Sequence, residues 1–309
     1  MFEGLTGSIL TVVILAMAMI VIFIFGQFFN FSERSAENRK KKVSKINSAT
    51  FHKNPFKTFV GTEIECIRHG NCVSRSSLYN NNFSSGDDAS LNGDGKEYRS
   101  SPSQGDKLFE MVDGFSKELI DTKHTVDRSC GLHIHIETPT DVDLIKKLYC
   151  FYSKYEGLFF AMLPKSRQKN KYCGRFNRFD KFSYKDVLKI KDLKEFKKLF
   201  YETNRFFPIN DHGNKKRYCW VNFHSIFYRG TLEIRGHSGT INARKIKNWI
   251  MLHLIIRDLL ERKSIDEIVK MKVSRKAFLN LFPSELKDYI QERWVVFPEI
   301  AEENFREYE

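Results

Sequence analysis

In four short segments of this chain, charged or imidazole side chains alternate with apolar ones at a period of two. Successive side chains on a β-strand project to opposite faces, so residues two apart share a surface. In FVGTEIECIR, from Phe59 to Arg68, Glu63 and Glu65 fall on one face and Val60, Thr62, Ile64 and Cys66 on the other. GLHIHIE, from Gly131 to Glu137, sets His133, His135 and Glu137 against Leu132, Ile134 and Ile136. In GTLEIRGH, from Gly230 to His237, Glu233, Arg235 and His237 oppose Leu232 and Ile234, and in KEYR Glu97 pairs with Arg99. One such strand by itself describes a half-solvated sheet surface equally well. Four together ask for more, because Glu, His and Arg are poor strand formers, and a sheet face built from them needs a compensating role.

A face lined with carboxylates and imidazoles and crossed by an arginine is suited to holding divalent metals and, through them, the phosphates of a nucleotide. Carboxylates with an occasional His favour Mg²⁺ or Mn²⁺. Zinc is the rival, since a strand-borne H-x-H with a Glu also builds a zinc site.

Upstream of these segments, from Ser8 to Phe31, there is no charged residue, and the run is long enough to cross a bilayer as a helix. The residues before it carry Glu3 and no Lys or Arg, which argues for an uncleaved anchor and against a signal peptide. Arg34, Arg39, Lys40, Lys41, Lys42 and Lys45 follow it, so the expected topology is a short extracytoplasmic N-terminus (1–7), a transmembrane helix (8–31), a basic linker (32–56) and a cytoplasmic domain (57–309). The formal net charge of +13 suits an anionic partner: a nucleotide, a nucleic acid or an acidic lipid surface. Six cysteines without a C-x-x-C pair read as reduced core thiols, although an even count also allows disulfides.

In order along the chain stand GTEIE (61–65), DASL (88–91), EYRSSP (97–102), SCGLHIH (129–135), LPKSR (163–167), NKYC (170–173), RYCWVN (217–222) and GTLEIR (230–235). This series resembles the putative amidoligase family, carboxylate-amine ligases related to glutamine synthetase and glutamate-cysteine ligase. The resemblance implies an α+β fold, a glutamine-synthetase-like antiparallel sheet with helices on one face, whose acidic face binds ATP and paired Mg²⁺ or Mn²⁺ ions. It implies that Glu63, His133 and Glu233 hold one metal and Glu65 and Glu97 the second. Arg235 would contact the transferring phosphoryl group, with His135 and Arg167 near the nucleotide phosphates and Arg217 and Asn222 by substrate or nucleotide. The substrates would be a carboxylate and an amine, from peptides or amino acids. A catalytically inactive membrane-anchored scaffold would keep the same pattern. Gly236 and His237 stand where the family usually has a bulky apolar pair.

Elsewhere the pattern is simpler. Ser74 to Gly95 reads as a long surface loop, and Asp141 to Leu163 as an amphipathic helix packed on the sheet. Between Lys165 and Arg217 basic and aromatic residues interleave, which fits a basic lid around a nucleotide or, alternatively, a surface on which nucleic-acid bases stack; the resemblance favours the first, with no nucleic acid expected. Asn242 is placed to cap a helix through Trp249 to Arg262, with His253 in the core. Two further helices are expected in the family-atypical tail 264–309, at Ile265 to Met271 and at Ser284 to Trp294 after Pro283.

Overall fold

The structure, a computed structural model, describes residues 51–138, 140–201 and 214–306, all within one compact unit spanning Ala49–Glu309. The expected transmembrane helix at 8–31, and the linker up to residue 50, lie outside the described residues. Among the described residues no helix is long and apolar enough to cross a membrane.

Six strands, β1 (Val60–Ile67), β2 (Phe83–Asp87), β3 (Gly95–Ser100), β4 (Gly131–Glu137), β5 (Val221–Asn222) and β6 (Thr231–Ser238), form one sheet. Their order is β2-β3-β1-β4-β6-β5, and every pairing is antiparallel. The alternation legible in the sequence sets the register. With one face apolar, a slip by one residue would turn Ile64, Leu132, Ile134, Ile136, Leu232 and Ile234 out of the core that they share. The observed register sets Glu63 opposite His133 and Arg99, and Glu65 opposite Glu97.

The apolar face is covered by helices. Helix α1 (Gly105–Asp121) buries Leu108, Phe109, Met111, Val112, Phe115 and Leu119, a stripe at helical spacing. Helix α2 (Val142–Phe160) is capped by Asp141, whose side chain accepts from the Asp143 N–H, and is apolar on nearly every side. Helix α3 (Ala243–Arg262) begins at Asn242, which accepts from the Lys245 N–H at 3.1 Å, and packs on α1, α2 and β4. His253 on α3 is wholly buried, its Nδ1 2.8 Å from the Tyr152 hydroxyl. Lacking solvent, its imidazole is pushed down to about 3 and stays neutral.

The tail forms helices at Ile265–Lys270 and Ser284–Val296, the second starting after Pro283, with a further one at Pro298–Phe305. It belongs to the same core. Arg244 of α3 makes a two-pronged pair with Glu292, both at 3.0 Å, and Arg293 donates to the Met162 carbonyl at 2.9 Å. All six cysteines are free thiols; five are buried, and Cys72 is exposed where a core position was expected.

Two expectations need correction. The stretch from Ser74 to Gly95 is not a plain loop, since it contains a short helix, Arg75–Asn80, and the edge strand β2. Strand β2 pairs through its backbone while most of its side chains are exposed, so FSSGD carries no alternation by which to recognise it. The second concerns His237. Between Leu132 and Ile134 the β4–β6 register shifts, because two steps on β4 face three on β6, from Ile234 to His237. This is a β-bulge, and the extra residue inverts the parity beyond it. His237 therefore leaves the polar face and packs on Trp249, its Nε2 3.2 Å from the Tyr289 hydroxyl. Gly236 makes the bulge possible, as a Cβ there would meet the Trp220 ring at 3.2 Å.

Phe159 sits at the centre of the aromatic core, against Phe151, Tyr152, Trp220, His253 and Phe278. Phe159→Ala should lower stability by about 3–5 kcal/mol, read as a drop in the thermal or urea midpoint. A loss under about 1 kcal/mol would contradict so closely packed a core.

Candidate active site

The polar face of the sheet is the floor of a cleft of about 290 Å³. Glu63 and Glu65 of β1, Glu97 of β3, His133 of β4 and Glu233 of β6 line it together, with Asn222 of β5, Arg235 of β6, Arg167 and Arg217. His135 lies one step along β4 and lines a neighbouring pocket that shares Glu63 and Arg229 with the cleft. The metal-, nucleotide- and substrate-binding candidates named from the resemblance are thus gathered at this cleft and the pocket beside it.

Glu63 is the hub. Its Oε2 is 3.0 Å from His133 Nδ1, and its Oε1 accepts from Arg229 at 3.1 Å. Burial favours the protonated form, but the hydrogen bond with His133 and the nearness of the His133 and His135 rings prevail and hold the carboxyl well below its usual range. Glu233 accepts from Asn222 Nδ2 at 2.6 Å and pairs with Arg235. It too is buried, which favours protonation, but the charges of Arg235, His135 and His133 together prevail and take its pKa to about 2. Glu97 goes the other way, raised first by burial and then by the charge of Glu63, although Arg99 is its ion-pair partner. Glu65 accepts from the Gly131 N–H at 2.6 Å and lies 3.5 Å from His133 Nε2.

Two donor groups emerge. Atoms of Glu63, His135 and Glu233 lie within 4.8 Å of one another, as do atoms of Glu65, Asp88 and Glu97. The first contains His135 where the resemblance implied His133; His133 instead stands between the groups, bonded to Glu63 and close to Glu65. The second gains Asp88, from the DASL segment, which strand parity had no means of selecting because it lies beyond the end of β2.

The residues fit divalent cations. His135 Nδ1 is 3.1 Å from Thr231 Oγ1, while its Nε2 is buried without an aligned hydrogen-bond partner among the described residues, although Glu63 Oε1 is 3.1 Å away. An imidazole nitrogen beside two carboxylates and aligned with neither can serve a cation as a ligand. The Glu65–Glu97 register points the same way, because like charges directly opposite on adjacent strands are destabilising unless a cation lies between them. Each group is mostly carboxylate with at most one imidazole, which favours Mg²⁺ or Mn²⁺ over zinc.

The arginines are held firmly. Arg235 donates through Nε to the Tyr172 carbonyl at 3.0 Å, and Arg167 through Nη2 to the Arg235 carbonyl at 2.7 Å. Arg167 is thereby placed behind the bulge, bracing the strand that carries Arg235. Tyr172, Tyr218, Tyr228 and Arg229 also line the cleft and escaped the sequence reading. They lie on short helices and turns, where no two-residue period marks them. Among the described aromatic residues of 165–217, Phe176, Phe196, Phe200 and Tyr201 are buried in the aromatic core, so those four rings offer no base-stacking surface.

An antiparallel sheet that gathers two groups of carboxylate-rich side chains and anchored arginines in one cleft defines an α+β protein with a polar, charged site on one sheet face. Residues 92–257 match the family model described as putative amidoligase enzyme, and the chain belongs to that family. It is thus an amide-bond ligase in general class, with a carboxylate and an amine as substrates. Glu97, His133, His135, Glu233 and Arg235 fall inside the matched stretch; Glu63, Glu65 and Asp88 lie before it and join the same cleft through sheet pairing and the turn after β2. No curated protein matches the chain.

The depressed Glu233 pKa has a sign that can be checked. Its ionised form stabilises the fold above its ordinary value near 4.5, and that contribution is lost as pH falls toward about 2. Between pH 4.5 and 2 the melting temperature of the wild type should therefore fall more steeply than that of Glu233→Gln. Parallel curves would show that the Arg235–Glu233 pair contributes no pH-dependent stability.

Proposed function

We propose that this protein is an ATP-dependent carboxylate-amine ligase acting through an acyl phosphate, with a glutamine-synthetase-like site. The observation that supports this best is the convergence of five carboxylates and two imidazoles, from four strands and one turn, on one cleft and the pocket beside it in an amidoligase-family chain. A carboxylate is a poor electrophile at neutral pH. In the proposed reaction an oxygen of the substrate carboxylate attacks the γ-phosphorus of ATP, and the bond to the β–γ bridging oxygen breaks, releasing ADP. The amine nitrogen then attacks the acyl carbon, inorganic phosphate leaves, and the nitrogen gives up a proton to yield the amide.

Glu63, His135 and Glu233 would hold one divalent cation and Glu65, Asp88 and Glu97 the other, with His133 orienting Glu63. Such ions supply charge neutralisation for the triphosphate. The protein's own part is positioning and electrostatics. Arg235, fixed by Glu233 and the Tyr172 carbonyl, provides a cationic wall toward the phosphoryl group without reorganising during the reaction. Arg217 and Asn222 complete the rim, and Arg167 acts through Arg235 as a positioning residue.

The uncharged run from Ser8 to Phe31 and the basic residues after it support a single membrane anchor with the catalytic domain on the cytoplasmic side. In that setting the acid and amine substrates are cytoplasmic peptides or amino acids.

The test is ADP and phosphate release by the full chain in detergent, with Mg²⁺ or Mn²⁺ and mixed pools of peptides and amino acids. Glu63→Gln and Arg235→Ala should each lower amine-dependent phosphate release by about 10²–10³. Unchanged turnover in either would remove that residue from the site. Absence of turnover with every pool would favour an inactive scaffold of the same fold.

A further inference from the structure

Beside the cleft lies a second pocket, of about 490 Å³, that differs from it in charge. Among the described residues its lining contains Lys171, Arg178, Lys181, Lys215 and Lys216 and no acidic residue. Lys216 is buried and paired with Asp180, so it belongs to the fold. The other four are exposed, and among the described residues none forms an ion pair with a carboxylate. Four unneutralised cations in one concavity raise the local concentration of an anion.

The wall between pocket and cleft is made by Tyr172 and Tyr218, which line both and meet edge to face at 5.2 Å. It is a rigid wall. The Gly174 N–H donates to the Tyr218 carbonyl at 2.8 Å and the Trp220 N–H to the Gly174 carbonyl at 2.9 Å, tying together the two segments that carry the tyrosines. Tyr172 is also the residue whose carbonyl holds Arg235. An extended ligand seated among the lysines therefore needs only to cross two tyrosines to present a group beside Arg235.

On the ligase reading above, we infer that this pocket binds an acidic, carboxylate-rich part of the acid substrate, such as a run of glutamates, while its reacting carboxylate enters the cleft. Nucleotide phosphates suit the cleft better, where the carboxylate groups are arranged for cations; the basic pocket has no carboxylate with which to hold a cation-bound phosphate. Nucleic acid is disfavoured by the rings. Tyr172, Tyr218 and Phe179 each carry a cation of the protein itself over one ring face, Lys171 at 4.7 Å, Arg217 at 5.3 Å and Arg178 at 5.5 Å from the ring centre, which leaves each ring at most one face for a base.

The experiment measures binding of labelled triglutamate and triglutamine peptides to the full chain in detergent, without nucleotide. Triglutamate should bind, and triglutamine at least about tenfold more weakly. The combined K171Q/K181Q/K215Q variant should lose about tenfold in triglutamate affinity, as three exposed charge contacts of modest strength add up, and keep MgATP affinity within about twofold. A control variant neutralising three exposed lysines outside the pocket, K107Q/K270Q/K276Q, should bind triglutamate as the wild type does. The inference is overturned if triglutamate does not bind, if both triple variants weaken it equally, or if MgATP affinity falls in parallel, which would make this a nucleotide subsite. Tighter binding of a thymidine oligonucleotide that displaces triglutamate would also overturn it. Failure of the ligase reading is distinguishable, because it would appear as no ADP formation while triglutamate binding and its loss in the variant persist.

Discussion

Burying several carboxylates of like charge on one sheet is the constraint around which this protein is organised. The antiparallel register puts Glu65 directly opposite Glu97 and brings Glu63 and Glu233 to the same imidazole, His135. Left alone, such charges repel and resist desolvation. The fold offsets part of this with Arg99, Arg229 and Arg235 and with His133 and His135, each aimed at a specific oxygen. The compensation is uneven: Glu63 and Glu233 are held ionised, whereas Glu97 is pushed toward protonation. The repulsion left between Glu97 and its neighbours Glu63 and Glu65 is what a divalent cation would answer.

Everything behind the sheet serves to hold this face still. Helices α1, α2 and α3 cover the apolar side, and the tail locks onto α2 and α3 through Glu292, Arg293 and Trp294, which bind Arg244 and the carbonyls of Met162 and Leu158. The segment between α2 and β5 supplies the opposite wall. Among its described residues Phe176, Phe196 and Phe200 sink into the core, while Lys171, Arg178, Lys181 and Lys215 remain outside and give the cleft a basic border. Carboxylates line only the cleft side of the Tyr172–Tyr218 wall among the described residues, and the proposed division between a cation and nucleotide site and an acidic-chain site rests on that difference.

Much of this was legible in the sequence, for a physical reason. Alternation is local, so β1, β4 and β6 and the grouping of Glu63, Glu65, His133 and Glu233 could be read from neighbours two residues apart. Asn242, His253 and Pro283 were likewise marked by capping chemistry, helical spacing and the fixed φ of proline. What escaped was non-local. Asp88, Arg229 and Tyr172 reach the cleft from turns and short helices, and β2 pairs without a side-chain pattern. His237 was misplaced because parity assumes an unbroken ladder, and the bulge at Gly236 breaks it. The glycine itself was the available signal.

The central claim is that the two donor groups are a paired divalent-cation site. Titration of the full chain with Mn²⁺, followed by electron paramagnetic resonance, tests it most directly. The account predicts saturable binding of about two Mn²⁺ ions per chain, close enough to couple magnetically, with one lost in Glu233→Gln and the other in Glu97→Gln. Absence of saturable binding, or binding unaffected by both substitutions, would contradict it.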